Sequence, residues 1–108
     1  MSKLVISTAL ESIWETIEAL EDGYWEASAM ADKDLLFSLI QMLYREYNEL
    51  LKVSVQDHHF PYEVIGVPQQ QFISLLGRIS QQLPQLCQRP TTQDRLQSLC
   101  SLLLRSIQ

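Results

Sequence analysis

Acidic side chains all but vanish from this chain after residue 63. Asp94 is the one acid among residues 64–108, against Arg78, Arg89, Arg95 and Arg105. Residues 1–63 hold the reverse balance, twelve Asp and Glu against four Lys and Arg, so a formal −8 is followed by +3. The net charge of −5 and a pI near 4.8 exclude a broadly basic, phosphate-seeking protein. Glycine is scarce too: three in 108 residues leave little scope for a phosphate-cradling loop or a nucleophile elbow. Cys87 and Cys100 are the only cysteines. They lack the paired spacing of a zinc knuckle and sit among leucines, which reads as two core thiols in a reducing compartment. No apolar run approaches the roughly 20 residues that span a bilayer. Leu4 to Leu10, behind Met1, Ser2 and Lys3, is too short and too polar for a secretory leader. The expectation is a soluble, cytoplasmic protein with no membrane partner. No internal repeat of 20 to 50 residues is evident, which excludes a solenoid.

What is abundant is apolar residues at helical spacing. Hydrophobic content of 46% over 108 residues suits one domain with its own core, without metal or disulfide staples. Leu10, Ile13, Trp14, Ile17 and Leu20 follow the i, i+3, i+4, i+7 pattern of an amphipathic helix. Thr8 and Glu11 form a capping-box signal at its start, and Gly23 offers a stop. A longer pattern runs from Leu35 through Leu39, Leu43 and Tyr47 to Leu51, with Asp32 or Asp34 placed to cap it. Tyr24 to Ala31 forms either a short helix of its own or an extension of the second. Residues 69–108, rich in Gln, Ser and Arg, hold two more helical patterns. One is entered through Pro68 and broken at Pro84; the other starts near Thr92 and Asp94 and carries Leu96, Leu99, Cys100, Leu103 and Ile107. The predicted fold is therefore all-α, a compact bundle of four helices, or five if Tyr24 to Ala31 stands alone. An acidic helical part over 1–51 joins the 69–108 part through a long irregular connection, 52–68. A pair of short strands, Val53–Val55 with Val64–Val67, is the alternative to a plain loop there.

Candidate sites follow from what the helical stripes leave over. Glu11, Glu15, Glu18 and Glu21, with Asp22, lie outside the apolar stripe of the first helix. General acid chemistry needs a buried carboxyl, so an exposed row suits electrostatic docking of a basic partner better than catalysis or metal binding. His58 and His59 are adjacent, a poor spacing for chelating one metal. With Phe60, Pro61 and Tyr62 they form a ring-rich loop that either pins itself to the core or contacts a partner. Tyr24 and Trp25 either plug the end of the bundle or, if exposed among Glu21, Asp22 and Glu26, form an interaction hot spot. Leu102 and Leu104 widen the apolar arc of the last helix, which is then either buried centrally among the others or left with a second face for a partner, a homodimer seam of Leu99, Leu102, Leu103 and Ile107.

No catalytic residue, metal site or cofactor is expected. The predicted function is non-catalytic protein–protein interaction: an adaptor or assembly chaperone that holds a peptide or helix of another protein. Its groove is predicted to lie between the 57–62 loop and Tyr24/Trp25, with the glutamates selecting Lys or Arg on the partner. The alternative is a small dimeric regulator that contacts nucleic acid through the arginines of the C-terminal half.

Overall fold

The apolar stripe around Ile13 and Ile17 does form a helix, and it runs further in both directions than its local signals indicate. In the computed structural model, which describes residues 4–107, α1 spans Ile6–Glu26. Residues 1–3, the charged start ahead of the Leu4 to Leu10 run, lie outside the described residues, as does residue 108. The Thr8/Glu11 capping box is not used: Val5 is the N-cap and no side chain caps this end. The donors of the first turn are met from far along the chain instead. Ile6 N–H donates to the Phe60 carbonyl at 3.0 Å and Ser7 N–H to the His58 carbonyl at 3.1 Å. Gly23 is not a stop either. It lies inside α1 with no left-handed backbone, where an added Cβ would come within 3.0 Å of Cys87 Sγ and 3.6 Å of a Leu96 methyl carbon. Its bareness lets neighbouring elements approach α1 closely.

Tyr24, Trp25 and Glu26 belong to α1, and α2 begins at Met30 and runs to Leu51, so the helices number four, not five. Asp32 sits in the first turn of α2, where a negative charge suits the helix dipole, but neither it nor Asp34 is the cap residue, which is Ala29. α3 spans Gln69–Leu86 behind Pro68, its N-cap. Pro84 does not break it. The proline falls in the last turn, where buried Leu83 and Leu86 hold the chain helical and Cys87 N–H still reaches the Leu83 carbonyl at 3.0 Å. α4, Pro90–Ile107, opens with Pro90, a residue preset for the first helical position.

The four helices alternate in direction. α1 packs on α2 and α4, α3 packs on the same two, and α1 and α3 face each other across the diagonal. Leu4 N–H donates to Ser106 Oγ at 3.2 Å and Gln69 Nε2 to the Ile107 carbonyl at 3.1 Å, which places the starts of α1 and α3 beside the end of α4. The core is aliphatic, with Ile13, Ile17, Leu36, Leu39, Leu76, Ile79 and Leu96 fully buried and Tyr62 and Phe72 as its aromatics.

Two helix starts depend on carboxylates or carbonyls borrowed from elsewhere, and the 52–68 connection explains one of them. The segment is irregular, and the alternative of two short strands is not realised. A 3-10 turn, Val55–Asp57, leads into a single antiparallel bridge between Val5 and Pro61, and Tyr62 N–H donates to the Leu4 carbonyl at 2.7 Å. The segment then folds over Glu46, a fully buried residue of α2 whose carboxylate accepts from Tyr62 Oη at 2.7 Å, Ile65 N–H at 3.1 Å and Gly66 N–H at 2.5 Å. Burial first, then the hydrogen bond to Glu46 and its charge, push the Tyr62 phenol far above the ordinary tyrosine range, so it stays a donor. Tyr62→Phe leaves a buried carboxylate short of one partner, and urea unfolding is expected to show a loss of about 1.5–3 kcal/mol.

The second borrowed cap is at α4. Glu26, the last residue of α1, accepts from Arg89 N–H at 2.9 Å and from Thr92 Oγ1 at 2.6 Å, so α1 caps α4. Burial alone would raise the Glu26 pKa, but hydrogen bonds from Thr92 and from the Arg89 and Gln88 backbone, with the Arg89 charge, hold it below the usual carboxylate range. A lowered folded-state value means the contribution is complete above the unfolded-state pKa, ~4.3, and is lost as pH falls through the folded value. Glu26→Ala is expected to cost about 1 kcal/mol at pH 7 in thermal or urea unfolding, and the gap to the parent to close below pH 4.

Candidate partner-binding groove

The face of α1 left outside the core meets the matching face of α2 in an open groove of about 1150 Å³. On α1, Trp14, Glu18, Glu21 and Trp25 follow i, i+4, i+7, i+11, which stacks them along one ridge. On α2, Phe37, Gln41 and Tyr44 do the same, and Ile40 closes the floor. Because the helices run antiparallel, the aromatics gather at two ends. Trp14 meets Tyr44 edge-on at 6.2 Å and Tyr47 at 5.4 Å between ring centroids. At the other end Tyr24 meets Trp25 edge-on at 5.4 Å and Phe37 at 6.3 Å. Lys33 ties this end together: its Nζ donates to the Tyr24 carbonyl at 2.6 Å and stands 4.6 Å from the Tyr24 ring centroid. It thereby satisfies a carbonyl near the end of α1 while joining α1 to α2.

Trp25 is 78% exposed and Phe37 49%, so these rings are surface and not a plug for the bundle end. Trp14, which the periodicity assigns to the buried stripe, is 41% exposed. Glu11, Glu15, Glu18 and Glu21 are all exposed along α1. Glu18, Glu21 and Asp22 line the groove itself, opposite Arg45 on α2.

Three expectations are corrected. The ring-rich loop is not a wall of this groove, because His58 bonds to Ser7 at the start of α1 while Trp25 lies 18 residues further on, about 27 Å along the helix at 1.5 Å per residue. Tyr62 has no exposed surface and cannot meet a partner; it is an interior donor. His58 is half-buried with Nε2 donating to the Val53 carbonyl at 3.1 Å, while His59 and Phe60 remain exposed and stacked on each other at 4.4 Å. Third, the homodimer seam is mostly core: Leu99, Leu103 and Ile107 are buried and only Leu102 is half-exposed, since α4 packs on α1 and α3 at once.

Phe37 and Tyr44 are groove residues that sequence reasoning missed. Both lie on α2, and only its pairing with α1 reveals that the two border the same space. Arg89 and Arg95 line one small cavity, but Asp22 and Glu26 line it too; Arg95 reaches back to Glu18 and Asp22, at 3.9 Å each, and Arg105 is ten residues further along α4. Both thiols are free and buried. Burial, then the nearby Glu26 carboxylate, pushes Cys87 up to about 11, and burial, then Cys87, pushes Cys100 up to about 12. Among the described residues no helix is long and apolar enough to cross a membrane. Nor do three or more His, Cys, Asp or Glu gather there in a way that holds a metal ion. No family model, curated protein or solved structure matches this chain.

Proposed function

We propose that this chain is a non-catalytic docking module that holds an amphipathic helix of a partner protein in the α1/α2 groove, as an adaptor or assembly chaperone does. The observation behind this reading is the line of exposed aromatics, Trp14 and Tyr44 at one end and Trp25 and Phe37 at the other, beside a row of carboxylates on α1. Trp14 and Trp25 are eleven residues apart, about 16 Å or three helical turns, the reach of a helix that presents apolar residues at i, i+4, i+7 and i+11. The occupant is basic along one edge, because Glu11, Glu15, Glu18, Glu21 and Asp22 steer and select positive charge. A second copy of this chain would bring the same acids against themselves, so like charge disfavours self-pairing on this face. A cytoplasmic setting belongs to the proposal and rests on Cys87 and Cys100 as free thiols.

Trp25 lines the groove, and Trp14 stands at its end with its ring centroid 6.2 Å from that of the groove residue Tyr44, so tryptophan fluorescence reports occupancy. The test uses a displayed library of 16-residue helices with Leu at positions 1, 5, 8 and 12 and other positions randomised. Enriched peptides are expected to be rich in Lys and Arg and to shift tryptophan emission to the blue. Combining Trp25→Ala with Phe37→Ala is expected to weaken them at least tenfold, about 1.4 kcal/mol, while moving the unfolding midpoint little, since both rings are exposed. Failure to enrich any peptide, or peptides indifferent to the double substitution, overturns the reading.

A further inference from the structure

We propose that the groove selects an arginine on the partner helix at the step between Glu18 and Asp22, and that Arg95 of this chain holds that place until the partner displaces it. The inference rests on the groove reading above and adds the residue that sets its specificity. Glu18 and Asp22 are one turn apart on α1 and put two carboxylates side by side. Arg95, from α4, spans them: Nη2 stands 3.9 Å from Glu18 Oε1 and Nη1 3.9 Å from Asp22 Oδ2. The two arms of one guanidinium therefore match the two acids, a fit that the point charge of a lysine cannot reproduce. Yet both distances exceed a charge-assisted hydrogen bond, ~2.7–2.9 Å, so the resident arginine neutralises the pair without closing on it.

The contact is also easy to leave. The side chains of Arg95, Glu18 and Asp22 are 43%, 52% and 67% exposed, and screened ion pairs of this kind bind weakly. α4 does not depend on it, because Glu26 already holds the start of α4 through Arg89 and Thr92. Arg95 borders a second, smaller cavity of about 440 Å³ next to the groove, lined also by Ala19, Trp25, Glu26 and Thr92, which gives its side chain somewhere to move. Across the groove, Arg45 makes no ion pair among the described residues and keeps the α2 wall basic. A partner arginine is thus directed to the α1 wall, and Arg95 competes with it there.

The test takes one library-selected groove peptide and makes versions with Arg, Lys or Gln at the position nearest Glu18, titrated by tryptophan fluorescence against the parent, Arg95→Gln, and Glu18→Gln combined with Asp22→Asn. The parent is expected to prefer Arg over Lys over Gln. Arg95→Gln is expected to tighten the Arg peptide three- to tenfold and leave the Gln peptide within twofold, and the double acid substitution to erase the preference for Arg. Circular dichroism checks that each variant is folded. If Arg95→Gln changes all three peptides alike, or none, while they still bind, Arg95 is not a placeholder and the groove stands. If no peptide binds the folded parent, the groove reading falls and this inference with it.

Discussion

The base of the bundle depends on one buried carboxylate. Glu46 has no solvent exposure, and a charge taken out of water is tolerable only when its oxygens are met by donors. Tyr62 Oη and the backbone of Ile65 and Gly66 supply them. That requirement pins residues 62–66 against α2, and the pinned segment in turn carries the His58 and Phe60 carbonyls to the first turn of α1. Gly66 is part of the constraint for a steric reason. A Cβ there would lie 2.9 Å from Glu49 Cγ and 3.0 Å from the Arg45 carbonyl, so only glycine lets the connection come this close to α2. The length of the connection is needed to cross the base from α2 to α1 and return to α3.

The same logic governs the helix ends. α1, α2 and α3 each begin without a side-chain cap of their own. α1 relies on loop carbonyl groups and α4 on Glu26, so end-capping here is tertiary and ties elements distant in sequence to one another. Such caps make the ends of the helices conditional on the whole bundle. They also add cooperativity, because losing the loop exposes the start of α1 and losing the end of α1 exposes the start of α4.

This division explains what was legible in the sequence. The interior of each helix was, because burial imposes a period that Ile13, Ile17, Leu39, Leu43, Leu76, Leu99 and Leu103 record in one dimension. The ends were not. Thr8, Glu11 and Gly23 carry real local preferences, but partners more than fifty residues away supply stronger terms that leave no local trace. The site divides in the same way. The acids of α1 and the Tyr24/Trp25 pair were visible as residues that a stripe leaves over. Tyr62 was misplaced because an aromatic on a loop looks alike whether it faces solvent or a buried Glu46, and Glu46 itself sits in a helix where any glutamate reads as solvated. Phe37 and Tyr44 become a wall only once α2 is set against α1.

Most of the chain's aromatic side chains lie outside the fully buried core. Of nine aromatic residues, only Tyr62 and Phe72 are fully buried, whereas Trp14, Tyr24, Trp25, Phe37, Tyr44 and Tyr47 cluster on the α1/α2 face. Aliphatic side chains fill the interior at helical spacing and set the separation of α1 and α2 from within. The rings outside are then held on a rigid frame, each already in contact with another ring and, at one end, with Lys33. A surface ordered in advance loses little conformational freedom when it is covered, so more of the apolar burial appears as affinity. In the proposed docking the carboxylate row acts differently, through orientation and encounter rate, because exposed charges are screened by salt. Rings and acids thus share one ridge of α1, Trp14, Glu18, Glu21 and Trp25, and the unbroken helix over Ile6–Glu26 keeps the two in register.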